Sequence, residues 1–233
     1  STLSIYQKRY AWPKTYITKP PSPDTSLIVT IPCYNEISLI PCLESLLGCE
    51  PTKGKVEVII IINESEVDQT LVSDRNVKCF DEASNWIDTN KTNQIDFHLI
   101  YEKLPKKHAG VGLARKIIMD EASKRLHSIN RPDGVIACYD ADCTCDINYL
   151  KSIEAHFAHH PNCPGASIYF EHPTDQENRD AIIDYELFLR YYVNALRYAG
   201  HIHAYETIGS SMVVRASSYE KQGGMNRRKA GED

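Results

Sequence analysis

The stretch SLIVTIPCYNEISLIPCLESLLGC, residues 26–49, decides the fold class. Its first part is an apolar, β-rich run of strand length, which the pattern predicts to be cut short by Pro32. Its second part places Leu39, Leu43, Leu46 and Leu47 at helical spacing with Gly48 near the end, predicting a helix over residues 38–49. The same alternation then repeats. VEVIIIIN (56–63) reads as a buried strand, followed by a helix around 74–89 carrying Val77, Phe80, Ala83, Trp86 and Ile87. IDFHLIYE (95–102) is a third strand and GVGLARKIIMDEASKRLHSI (110–129) an amphipathic helix. GVIACYD (134–140) is a fourth strand. Four strand–helix alternations predict an α/β domain with a mostly parallel, doubly wound sheet flanked by helices. The later chain predicts a helix near 148–158, a strand GASIYFEH (165–172) and a Tyr-rich helix over 177–198. Residues 1–26, with the Pro-rich KPPSP at 19–23, read as an arm and connector ahead of a single domain.

Composition narrows the partners. A formal charge of −5 over 233 residues argues against a nucleic-acid backbone. The local cluster Lys106-Lys107-His108 suits a small anion or a solvated face equally well. No apolar run approaches the ~18 residues that span a bilayer, so no transmembrane segment is expected. Eight cysteines without a Cys-x-x-Cys pair read as free thiols in a reducing compartment.

In an open parallel sheet, ligands bind beyond the carboxyl ends of the strands. Those ends are Pro32-Cys33-Tyr34-Asn35-Glu36, Asn63-Glu64-Ser65 and Asp140-Ala141-Asp142. Such an acidic edge needs a counter-charge, and hard oxygen ligands favour Mg2+ or Mn2+. Cys143 and Cys145 would suit zinc, but the pair supplies only two ligands. Gly110-Val111-Gly112 fails as a dinucleotide fingerprint because its third glycine position is Arg115. It stays open between a phosphate-receiving helix start and a merely flexible one. His156, His159 and His160 share a helical face by spacing, and His201 and His203 would share a strand face. Both groups read more readily as surface or core histidines than as ligands.

The order IPCYNE, EVIIIINES, GVGLARK, YDADC and GSSMVVR…GGMNRRKAGED resembles the family-two glycosyltransferases of the GT-A fold, from about Leu27 to the last residue. The resemblance implies an inverting, metal-dependent transferase with a nucleotide-binding half at 27–146 and an acceptor-side half at 147–233. Its donor would be a UDP- or GDP-sugar, and its acceptor a hydroxyl on a glycan, a lipid-linked molecule or another compound. By the same resemblance Pro32, Tyr34, Asn35 and Glu36 surround the nucleotide. Asn63 and Glu64 stand where many members carry two aspartates for base and ribose. Arg115 lies near the nucleotide, Asp140 and Ala141 approach the ribose, and Asp142 binds Mn2+ or Mg2+. Asp233 would be the catalytic base, with Glu232 beside it. The GSS segment at 209–211 would be a strand flooring the acceptor pocket. Tyr185, Tyr191, Tyr192 and Tyr198 either stack on sugars or pack the helix rim.

The sequence stops inside the final motif, which implies a truncated chain that binds nucleotide more readily than it transfers sugar. The expected location is the cytoplasm or the cytoplasmic face of a membrane. Two other readings stand beside this one. A sugar nucleotidyltransferase would carry a glycine-rich basic loop after the first strand, which PCYNEISLI lacks. A nucleotide- or glycan-binding module without turnover is favoured by the Asn63-Glu64 departure.

Overall fold

The computed structural model describes residues 4–174, 177–206 and 208–228. Its strands are β1 (Thr25–Cys33), β2 (Lys55–Ser65), β3 (Ile95–Leu104), β4 (Val135–Cys138), β5 (Gly165–Ser167) and β6 (Met212–Arg215). They form one sheet in the order β3-β2-β1-β4-β6-β5. Strands β1 to β4 run parallel, and β6 pairs antiparallel with both β4 and β5. The helices are α1 (Ile5–Arg9), α2 (Ile40–Leu47), α3 (Thr70–Thr89), α4 (Val111–Ser128), α5 (Tyr149–His159), α6 (Arg179–Tyr198) and α7 (Ala216–Lys221). The predicted α/β class holds.

β1 runs through Pro32 rather than stopping there, because Pro32 pairs with Ile61 of β2. The neighbour on the other side, β4, ends opposite Thr30, and Tyr139 N–H closes that ladder onto the Thr30 carbonyl. The missing proline N–H shares Thr30's side of the strand, so it points where no partner strand remains.

The alternating faces of β2 sort the core into two layers. Val56, Val58, Ile60 and Ile62 pack with α2, α3 and α5, while Ile59 and Ile61 pack with α4 and α7. Helix α3 starts at Thr70, earlier than predicted, and turns Asn76, Cys79 and Ala83 inward. Val77 points to solvent, 47% exposed.

Helix α4 is not amphipathic in the expected sense, for its polar residues are buried too. The sheet covers one face, while α7 and the segment before β1 cover the other. Asp120 accepts hydrogen bonds from the Tyr6 and Tyr219 hydroxyls and from the Trp12 N–H, and pairs with Lys116 at 2.9 Å. Glu121 accepts from the backbone N–H groups of Tyr16 and Ile17. The segment read as an arm is thus built into the α4 face.

The later elements differ most from expectation. The strand at 165–172 shrinks to the three residues of β5, and Gly209–Ser211 forms a 3-10 turn rather than a strand. His201 and His203 lie outside any strand, and His156, His159 and His160 are exposed. Among the described residues no helix is long and apolar enough to cross a membrane.

Arg125 grips Glu57 of β2 with two hydrogen bonds, of 2.6 and 2.9 Å, and both side chains are buried. Removing one partner strands a buried charge, so Arg125→Met should destabilise the fold by about 3–5 kcal/mol. Replacing Glu57 with Leu as well should recover much of that loss. Urea unfolding of the single and double variants checks both expectations.

Candidate active site

Strand order reverses between β1 and β4, since β1–β2–β3 builds one way and the α4 crossover delivers β4 to the other side. The loops leaving two adjacent strand ends diverge there and leave a crevice. A cleft of about 880 Å³ occupies that point. Its lining includes Pro32, Tyr34, Glu36, Asn63, Arg115, Asp140, Ala141 and Asp142, which the sequence singles out. Ser65, Val67, Asp68, Lys106 and Gly209 line it as well.

Two expected residues do not line it. Asn35 sits in a left-handed turn at φ 60°, where its N–H donates to the Asn76 side chain and its side-chain oxygen accepts from Arg75. Its part is to shape the turn that presents Tyr34 and Glu36. Glu64 lies on the other face of β2 from Asn63, as strand alternation requires. Ser73, Tyr101 and Lys103 occupy its carboxylate, at 2.9, 2.6 and 2.8 Å. Asn63 alone of that pair faces the cleft. It is 3% exposed, and its side-chain oxygen has no hydrogen-bond partner among the described residues. A buried amide left this way is costly unless a ligand supplies the donor.

Asp68 is the acidic neighbour that the sequence conceals. It accepts from the Ser65 N–H at 2.7 Å and lies on the same wall as Tyr34. Partial burial, then the Asp68 charge, raise the Tyr34 phenol above its ordinary value and keep it a donor. Nothing in the polar run after Glu64 marks Asp68 apart from its neighbours.

On the opposite wall, Arg115 is buried and pairs with Asp140 at 2.8 Å. Gly209 lies against this guanidinium so closely that a Cβ there would fall 2.1 Å from it. The Gly110–Val111 start of α4 and the exposed Lys106 flank the same space. Backbone N–H groups at a helix start and an ammonium group are the chemistry that holds phosphate oxygens.

Glu36, Asp140 and Asp142 supply the acidic end. Partial burial first, then the charges of Asp142 and Asp140, raise the Glu36 carboxyl above its ordinary value. These carboxylate oxygens fit a hard divalent cation. Burial first, then Asp142, push the adjacent Cys143 thiol up to about 11. Among the described residues no three His, Cys, Asp or Glu side chains form a ready metal cage. A cation here would complete its shell from a bound diphosphate and water, the usual habit of Mg2+. Glu232 and Asp233, expected as the catalytic pair, lie outside the described residues.

The family model described as "Glycosyl transferase family 2" matches residues 28–223. Among curated protein sequences nothing matches the chain. In fold the chain is similar to TarS 1-349 from S. aureus in complex with UDP-GlcNAc, at 15% identity and a TM-score of 0.55. That likeness covers 89% of this chain and 51% of the other. It is also similar to the mannosyltransferase PcManGT from Pyrobaculum calidifontis in complex with GDP-Man and Mn2+, at 18% identity and a TM-score of 0.55. The coverage is 97% of this chain and 55% of that one, so the chain spans about half the length of these structures. The match takes in the switch-point crevice and both of its walls, and with it the chain belongs to glycosyl transferase family 2, on a GT-A fold.

Proposed function

We propose that the protein is an inverting glycosyltransferase that moves a sugar from a UDP- or GDP-sugar to an acceptor hydroxyl with the help of Mn2+ or Mg2+. One observation carries the reading: a single cleft brings together an unpartnered buried amide, a cationic helix start and a group of carboxylates. These suit, respectively, a base, a diphosphate and a cation. The complexes of TarS with UDP-GlcNAc and of PcManGT with GDP-Man and Mn2+ support it by likeness of fold.

In this reading Asn63 and Asp68 hold the base edge, and Tyr34 covers it. Lys106 and the start of α4 take the diphosphate. Arg115 keeps Asp140 aimed at the ribose side, with Ala141 beneath. Asp142 and Glu36 would hold the cation, which when bound offsets the charge that builds on the departing diphosphate. Asp233 receives the acceptor's proton as its oxygen attacks the anomeric carbon opposite the leaving group. Glu232 supports that base. Residues 27–146 form the donor half and 147–233 the acceptor half.

Thermal unfolding with UDP, GDP and their sugars tests the donor site. At about a hundred times Kd, one nucleotide should add about 2.7 kcal/mol, roughly 5–10 °C of Tm for a chain of this size. The gain should need Mn2+ and vanish with chelator or in Asp142→Ala. No response to any nucleotide would refute the reading. Gly209→Val should drive Arg115 off Asp140 and weaken the same nucleotide about tenfold, some 1.4 kcal/mol, as isothermal titration would measure. Asp233→Asn should keep nucleotide affinity and lower sugar release by about 10²–10⁴-fold. Retained binding with no sugar release in the unaltered protein would instead favour a binding module.

A further inference from the structure

Beyond the cleft, two thiols face each other where the β4–α5 loop meets the end of α2. Cys49 and Cys145 bring their sulfurs to 3.7 Å. Cys49 lies two residues after α2, past Gly48, and Cys145 lies three residues beyond Asp142 in the loop that leaves β4. The backbones are already tied, since the Glu50 N–H donates to the Ile147 carbonyl at 2.6 Å. The Cys49 thiol also lies 3.7 Å from the Asp146 carbonyl. Both side chains are partly exposed, whereas Cys33, Cys42, Cys79 and Cys138 are sealed in the core.

We propose that Cys49 and Cys145 form a reversible disulfide that fixes the loop carrying Asp142 against the end of α2. A disulfide sets the sulfurs about 2.05 Å apart, so they must close by about 1.7 Å from their present separation. Rotation about the side-chain bonds supplies part of this, and the loop supplies the rest. The tie between Glu50 and Ile147 keeps the two backbones within reach throughout.

The chemistry needs an oxidant, and a small-molecule disulfide such as oxidised glutathione supplies one. The Cys145 thiolate attacks one sulfur of that disulfide and expels a thiolate, leaving a mixed disulfide on Cys145. Cys49 loses its proton and attacks the Cys145 sulfur, expelling the second thiolate. Two protein thiols have then lost two protons and two electrons, and the small disulfide has become two thiols. Hydrogen bonding with Cys49 holds the Cys145 thiol down to about 7 against the opposing effect of burial, and Tyr139 and Ser45 add to it. The two thiols titrate as a pair, and the Ser45 hydroxyl 3.7 Å from the Cys145 sulfur favours the thiolate there.

The site-level consequence follows from continuity of the loop. In the reduced form Cys145 reaches the Ser45 hydroxyl at 3.7 Å, and Ser45 in turn faces the Tyr139 hydroxyl. Drawing Cys145 to Cys49 exchanges those contacts for a covalent bond and shifts the chain just beyond Asp142. Metal–ligand distances stay within about 0.2 Å of their norms, so a loop shift passed on to Asp142 would weaken cation-assisted binding. This consequence rests on the proposed function, while the disulfide itself does not.

The test exposes the reduced protein to oxidised glutathione, alkylates free thiols and maps the peptides by mass. A cross-linked peptide joining Cys49 to Cys145 should appear, and a dithiol reductant should remove it. Amide hydrogen exchange across residues 140–147 should slow in the oxidised form. Cys49→Ser should trap glutathione on Cys145 and show no slowing; if it folds poorly, Cys145→Ser, which removes the attacking thiol, should likewise show no cross-link and no slowing. Full alkylation of both thiols after oxidation, a different cysteine pairing or unchanged exchange in the loop would each overturn the proposal. With Mn2+, oxidation should weaken nucleotide binding severalfold in the unaltered protein and leave the Cys49→Ser/Cys145→Ser double variant unchanged. If the reduced protein binds no nucleotide, the proposed function fails, and the mass and exchange results still decide on the disulfide.

Discussion

Helix α4 carries charges into the interior, and each must be answered there. Leaving one ion of such a pair unanswered costs several kcal/mol, so every charge on α4 dictates what lies next to it. Arg125 demands Glu57 and so fixes the register of α4 along β2. Asp120 and Glu121 demand donors, which the segment around Tyr6, Trp12 and Tyr16 provides. Arg115 demands Asp140 and so fixes the loop at the end of β4. One helix thereby ties the sheet, the N-terminal segment and the cleft into one body.

That arrangement also shapes the cleft. The crevice at the β1–β4 divergence is a consequence of topology, but its chemistry depends on which side chains turn into it. Strand alternation admits Asn63 and excludes Glu64, and the residues that hold Glu64 lie on α3 and β3. Gly209 permits the guanidinium of Arg115 to lie flat against the backbone, where any larger residue would push it into the cleft. The cleft is held from behind in part by groups outside its lining.

The elements that sequence reading found were those whose signal is local. Apolar runs of strand length gave β1 to β4, and the helix over 110–129 is α4 but for one residue at each end. Asp140 and Asp142 were visible because they follow an apolar strand directly. The rest depends on partners far away in the chain. Pro32 ends a strand only if its missing N–H faces a neighbour, and the length of β4 decides that. The burial of polar residues on α4 could not be read without knowing that the segment at 4–19 returns to cover them. Glu64 reads as a cleft residue only if a strand end is one surface, and it has two faces. Asp68 has no local mark at all. The short β5 and the turn at Gly209–Ser211 reflect pairing with β6, which no periodicity in three or four residues can announce.

The two halves of the chain are held by different forces, and this bears on what each can do. β2 is buried on both faces, and α2 to α4 gain their stability from the packed core. Helix α6, of similar length to α3 and α4, buries only Glu186 and Val193 and leaves Leu187, Phe188, Tyr191 and Tyr192 exposed. An isolated helix of this length is marginal in water, so its position rests on polar ties. Glu186 accepts from the His172 ring and backbone and pairs with Arg190, while Arg197 donates to the Ala204 carbonyl. His172 and Arg190, the partners of the buried Glu186, are 43% and 38% exposed, so these ties are worth little and are partly screened by salt. A rigid first half beside a loosely tied second half would suit the proposed transfer, with a defined nucleotide as donor and an acceptor that must be admitted, oriented and released. The same asymmetry makes salt a discriminating variable: raising it loosens α6 and its loop well before it disturbs the buried pairs of α4.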